Sequence, residues 1–146
     1  MFRTLRLAIG CFCAGILLFL PVALHAHTCF APGEEYIFYC GSASSEARTV
    51  VCRGELAVYY RYVLGGEVKG ESTVYAADGP SAAEILASFE ARLCFSERVA
   101  GTTGYYCYSA KLGEAVQING YAVNLHVVVR ADGATAVGTP LVFGGF

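Results

Sequence analysis

The chain opens on a long apolar run, Leu7 to Leu24, which follows Arg3 and Arg6 and precedes the mixed stretch His25-Ala26-His27-Thr28. A basic start, an apolar middle and a small residue at the exit form the layout of a secretory signal. The expected cut falls after Ala26, giving a signal peptide over residues 1–26 and a single domain over residues 27–146. An uncleaved membrane anchor is the other reading, because 18 apolar residues sit at the lower edge of the ~17–25 that span a bilayer. Gly10, Gly15 and Pro21 weaken such a helix. A lipid-modified Cys11 is excluded, since the apolar run continues for 13 residues beyond it.

Past this segment the pattern turns to short strands and turns. Glu35 to Cys40 and Arg48 to Arg53 are rich in β-branched and aromatic residues. Leu56 to Leu64 and Glu67 to Ala76 flank Gly65-Gly66, a pair suited to a tight hairpin. Asp78-Gly79-Pro80 stops the sheet, and Ser81-Ala82-Ala83-Glu84 has capping-box spacing. Ala82, Ile85, Leu86, Phe89 and Leu93 follow at helical intervals, so the spacing predicts a main helix over about 81–94. Gly104 to Tyr108 reads as strand. Leu112, Ala115 and Val116 suggest a short second helix over about 110–118, although Asn119-Gly120 suits either its left-handed end or a type I′ hairpin turn.

Tyr121 to Arg130 alternates most clearly, with Tyr121, Val123, Leu125, Val127 and Val129 on one face and Ala122, Asn124, His126, Val128 and Arg130 on the other. Asp132-Gly133 turns the chain into a last strand toward Phe143, where Gly138 and Pro140 predict a bulge or an edge position. The whole predicts an α+β domain, a curved antiparallel sheet packed on one main helix.

Composition narrows the function more by exclusion than by signature. Of 146 residues, 55% are hydrophobic and 15% charged, which excludes a disordered tail. Removal of the first 26 residues leaves eight basic residues against all 12 acids, a net charge of −4. Nucleic acid is therefore not an expected partner, because phosphate contacts need a basic surface.

Seven cysteines are present, and five lie beyond the signal: Cys29, Cys40, Cys52, Cys94 and Cys107. If the first two strands fold back on each other, Cys40 and Cys52 lie opposite and suit a bridge; Cys94 and Cys107 would then join a helix end to a strand. Five buried reduced thiols are an equal reading, since spacing does not fix connectivity. No CxxC pair supports zinc or redox chemistry.

The C-terminal stretch Tyr108-Ser109, Leu112, Asn119-Gly120, Val123-Asn124-Leu125, Arg130 and Val137-Gly138-Thr139-Pro140 resembles the YwmB family, as do Phe89 and Ala91 in the preceding helix. These are exported proteins of Gram-positive, often spore-forming bacteria with a fold similar to the TATA-box-binding protein. The resemblance covers about the last 60 of 146 residues. It implies a helix on a curved antiparallel sheet and no established activity. DNA binding does not follow from the fold, because an acidic exported body lacks the basic residues of a minor-groove saddle.

Candidate chemistry is sparse. Asn124, His126 and Arg130 share one strand face and form a possible ligand-reading patch, with a solvated sheet surface as the plainer reading. The tyrosines, among them Tyr59, Tyr60, Tyr62, Tyr105, Tyr106 and Tyr108, divide between core and contact surface. No Ser/His/Asp arrangement is discernible, so no enzyme activity and no cofactor are expected. The expectation is an exported cell-envelope protein of non-catalytic type that binds a protein or wall component through its sheet face. A copper-binding alternative uses the α-amine and imidazole of a mature N-terminal His27 with Cys29 and His126.

Overall fold

The computed structural model describes residues 2–25 and 27–143; the expected cleavage point at Ala26 lies outside them. α1 (Phe2–His25) is one continuous helix through Gly10 and Gly15. Its large apolar side chains Leu7, Phe12, Leu17 and Phe19 are exposed. Among the described residues no helix is long and apolar enough to cross a membrane.

The body is α+β. β1 (Glu35–Cys40), β2 (Arg48–Arg53), β3 (Val68–Tyr75), β4 (Arg92–Val99), β5 (Thr102–Tyr108), β8 (Leu125–Val129) and β9 (Thr135–Thr139) form an open antiparallel sheet in the order β2-β1-β3-β9-β8-β5-β4. β6 (Val116–Ile118) and β7 (Tyr121–Val123) make a separate two-stranded ribbon. α2 (Ala57–Leu64) and α3 (Ala82–Ser88) cover one face of the large sheet. Tyr36, Phe38, Leu125, Val127 and Val137 from the strands meet Ala57 and Ile85 from the helices in that core. Each of the buried Phe, Leu, Ile and Val side chains among them contributes roughly 1.5–3 kcal/mol of apolar transfer.

Several elements differ from the pattern-based expectation. The segment expected to pair as a strand before Gly65-Gly66 is α2. Ala57 is buried and Tyr60 and Leu64 are half-buried against the core, while Tyr59, Tyr62 and Val63 are exposed. Spacings of three and four thus outweigh the β-propensity of the tyrosines. Gly65, at φ 52°, ends α2, and no hairpin forms there.

The capping box is present: Ser81 N–H donates to Glu84 Oε2 at 2.8 Å and Glu84 N–H donates to Ser81 Oγ at 3.3 Å. α3 nonetheless stops at Ser88, not near residue 94, because Glu90 adopts φ 49°. Leu93 and Cys94 belong to β4 instead.

The helix expected over 110–118 is a turn followed by the β6–β7 hairpin. Asn119 and Gly120 both have positive φ (50° and 81°), as a type I′ turn requires. The long strand is divided at Asn124 into β7 and β8. β9 is neither bulged nor at an edge. It lies between β3 and β8 in regular register, and Pro140 falls one residue past the ladder, where a missing N–H costs no sheet bond.

Among the described residues no helix packs on the second face of the sheet. Side chains alternate across a strand, so Ser72, Gly138, His126, Tyr106 and Phe95 lie side by side on it through successive cross-strand neighbours, and Tyr39 joins the row through a hydrogen bond between its hydroxyl and that of Ser72 at 2.9 Å. The C-terminal segment folds back over part of this row. Phe143 N–H donates to Tyr39 Oη at 3.1 Å, their rings meet edge to face at 5.0 Å, and the Leu141 carbonyl packs where a Cβ on Gly138 would be.

Candidate functional site

A cavity of about 600 Å³ opens on the helix-free face, over β4, β5 and β8. His126, Val128, Tyr106 and Gly104 form its floor, and Glu97, Val99, Arg130, Asp132 and Val142 rise around it. Three rings stand in a row beside it: Phe95 stacks on Tyr106 at 4.3 Å and Tyr106 on His126 at 4.2 Å. These contacts occupy the ring faces, so the cavity is offered ring edges and polar atoms.

His126 is the chemical centre of this cavity. It is 8% exposed, and burial pushes its pKa down to about 4, so it is neutral near pH 7. Val142 N–H donates to Nδ1 at 3.3 Å. The remaining proton of the neutral ring is therefore on Nε2, which has no hydrogen-bond partner among the described residues. An isolated buried donor of this kind costs roughly 1–3 kcal/mol. Beside it, burial and then the neighbouring Glu97 carboxylate raise the Tyr106 phenol above its ordinary value.

Of the three patch residues expected from alternation, the structure brings two together. His126 and Arg130 line the cavity, and Arg130 pairs with Asp132 at 3.1 Å. Asn124 does not join them. It is wholly buried at the break between β7 and β8, where Oδ1 accepts from Ser109 N–H and Nδ2 donates to the Ser109 and Gly113 carbonyls. Its amide takes over the backbone bonding that the interrupted strand gives up, a structural role. Tyr106 belongs to the tyrosines divided between core and contact surface, whereas Glu97 and Gly104 escaped the sequence reading as site residues. The one available signal was Gly104, an isolated glycine within a strand, which marks a close approach.

A second cavity, of about 440 Å³, lies near the start of the domain against Cys29, Arg61 and Glu71. Glu71 is 2% exposed, yet every one of its demands is met. Arg61 Nε donates to Oε1 at 2.8 Å, while Tyr36 Oη at 2.6 Å and the Cys29 backbone N–H at 2.9 Å both donate to Oε2. A satisfied cluster of this kind fastens α2 and the N-terminal segment to β3. Burial, reinforced by Glu71, pushes the Cys29 thiol up to about 12 and the Tyr36 phenol well above its usual range.

The other expected constellations come apart. Cys40 pairs with Arg48 and Cys52 with Tyr36, so the two cysteines sit four residues out of register, about 13 Å along the hairpin. They do not lie opposite, because the turn between β1 and β2 is shorter than a Cys40–Cys52 pairing needs; both thiols instead enter the core. Cys94 occupies a bulge in β4 beside the Leu93–Cys107 pair, a strand-to-strand relation that replaces the expected helix end. All described cysteines are unbridged. His27, Cys29 and His126 are not gathered: Cys29 bonds Glu71 on the helix-covered face, whereas His126 faces the opposite side of the sheet. Among the described residues no group of three or more His, Cys, Asp or Glu is placed to hold a metal.

Comparison with protein-family models, curated proteins and solved structures finds no match to the chain.

Proposed function

We propose that the chain is an exported, non-catalytic binding domain of the cell envelope that engages a protein or wall component through the helix-free face of its sheet. The observation that carries this reading is the cavity over β4, β5 and β8, lined by His126, Tyr106, Glu97 and Arg130 between apolar walls of Val99, Val128 and Val142. A concave site with apolar walls and a few convergent polar groups is the usual form of a ligand pocket. Export is supported by the order of basic, apolar and small residues at the start, and by the exposure of Leu5, Leu7, Phe12, Leu17, Phe19 and Leu20 along α1. Membership of the YwmB family belongs to the same proposal and rests on the C-terminal residues named above.

Cell fractionation with intact-mass measurement tests it. The expected product begins at His27 and lies outside the cytoplasmic membrane. Recovery of the intact 146-residue chain from the soluble cytoplasm would contradict export and the envelope role together.

A further inference from the structure

Beyond β9 the chain forms a strap, residues 141–143, that lies on the helix-free face outside any strand ladder. Hydrogen bonds to side chains hold it there. Val142 N–H donates to His126 Nδ1 at 3.3 Å, Phe143 N–H donates to Tyr39 Oη at 3.1 Å, and Tyr39 Oη donates to the Phe143 carbonyl at 3.2 Å. The first of these requires an unprotonated Nδ1, because a protonated imidazole carries two donors and no acceptor.

The ring has little room to answer a second proton. Tyr106 stacks on it at 4.2 Å, and Gly104 lies so close that a Cβ there would stand 3.2 Å from Nε2. The strap is the less confined partner, since its three residues are half-buried and His126 is buried. The other titratable groups facing the cavity are Glu97 of β4, Tyr106 of β5, Arg130 of β8 and Asp132 of the following turn. Arg130 and Asp132 engage each other, and the Tyr106 phenol, raised by burial, keeps its proton throughout the acid range.

We propose that the strap is latched by His126 and opens in acid, protonation of Nδ1 turning the acceptor of the Val142 N–H into a donor that displaces it. Opening uncovers Tyr39 and Gly138 and withdraws Val142 from the cavity. Burial sets the direction of coupling. It holds the ring at about 4 with the strap in place, and the ring loses part of that burial as the strap leaves, so proton uptake and opening favour each other. As a control of access to the helix-free face the latch rests on the binding-face reading; the movement itself does not.

Hydrogen exchange and imidazole nitrogen NMR of the full chain, followed from about pH 7 to about pH 4, test the latch. His126 Nδ1 and the Val142 amide are expected to shift with one midpoint. The protection factor of the Val142 amide is expected to stay well below that of Val127, inside the β8 ladders, and to fall about tenfold between pH 7 and pH 5. His126→Gln, which accepts without titrating, is expected to remove that fall. Phe143→Ala loosens the other anchor and is expected to raise the His126 midpoint. A Val142 amide that keeps its protection in acid, that exchanges only in step with Val127, or a His126 midpoint unmoved by Phe143→Ala would overturn the latch. No ligand enters the experiment, so its failure is distinct from failure of the binding-face reading.

Discussion

Glu71 and His126 are both buried polar side chains, and they differ in whether the protein answers them. Three donors close on the Glu71 carboxylate, so substitution there tests structure. Glu71→Gln is expected to lower unfolding free energy by about 2–3 kcal/mol in urea titration, because the Arg61 pair loses its charge partner. The same variant is expected to speed alkylation of Cys29 in the folded chain. Burial and the Glu71 carboxylate raise that thiol while Arg61 lowers it, so neutralising Glu71 releases thiolate.

For His126 the pH dependence runs the other way from a salt-bridged histidine. Above about 6.5 the ring is neutral folded or unfolded and adds no slope. As pH falls from 6.5 toward 4, the unfolded chain takes up the proton first, so stability is lost across that window and levels off below it. The full loss is on the order of 3 kcal/mol. Comparison with His126→Gln isolates the histidine share, and an unchanged slope in that variant would refute its buried neutral state.

At the scale of elements, what was readable depended on whether a local signal could decide by itself. The capping box marked the start of α3, because Ser81 and Glu84 satisfy each other within one turn. Ser81→Ala is expected to cost about 1 kcal/mol in thermal unfolding, a substantial share for so short a helix. The end of α3 carried no such signal. Leu93 fits the helical stripe, yet the left-handed turn at Glu90 breaks the period and passes Leu93 to β4, where it pairs with Cys107.

Tyr59, Tyr60 and Tyr62 misled in the opposite sense, since aromatic residues favour strands until an apolar spacing of three and four finds a sheet to cover. Asn119-Gly120 admitted helix end or hairpin, and the pairing of Val116 with Val123 decided for the hairpin. Gly120→Val, at φ 81°, is expected to destabilise the β6–β7 ribbon, seen as faster amide exchange at Ile118 and Tyr121, the hydrogen-bonded pair that flanks the turn.

For the whole molecule, the candidate site is assembled by pairings between distant segments. Alternation along one strand placed His126 and Arg130 on the same side, and that much was legible. Glu97 and Gly104 reach the site only because β4 pairs with β5 and β5 with β8, and Val142 only because the chain folds back after β9. Single-strand periodicity carries no information about such neighbours. The same long-range order separates Cys29 from His126 by the thickness of the sheet and sets Cys40 out of register with Cys52.

The central claim is that the helix-free face around His126 is where this domain meets its partner. A backbone chemical-shift map of the full chain, titrated with soluble cell-envelope fragments, tests it directly. The perturbed amides are expected to cluster at Glu97, Gly104, His126 and Arg130. Perturbations confined to α2, α3 or the Cys29–Glu71 cavity would contradict the account.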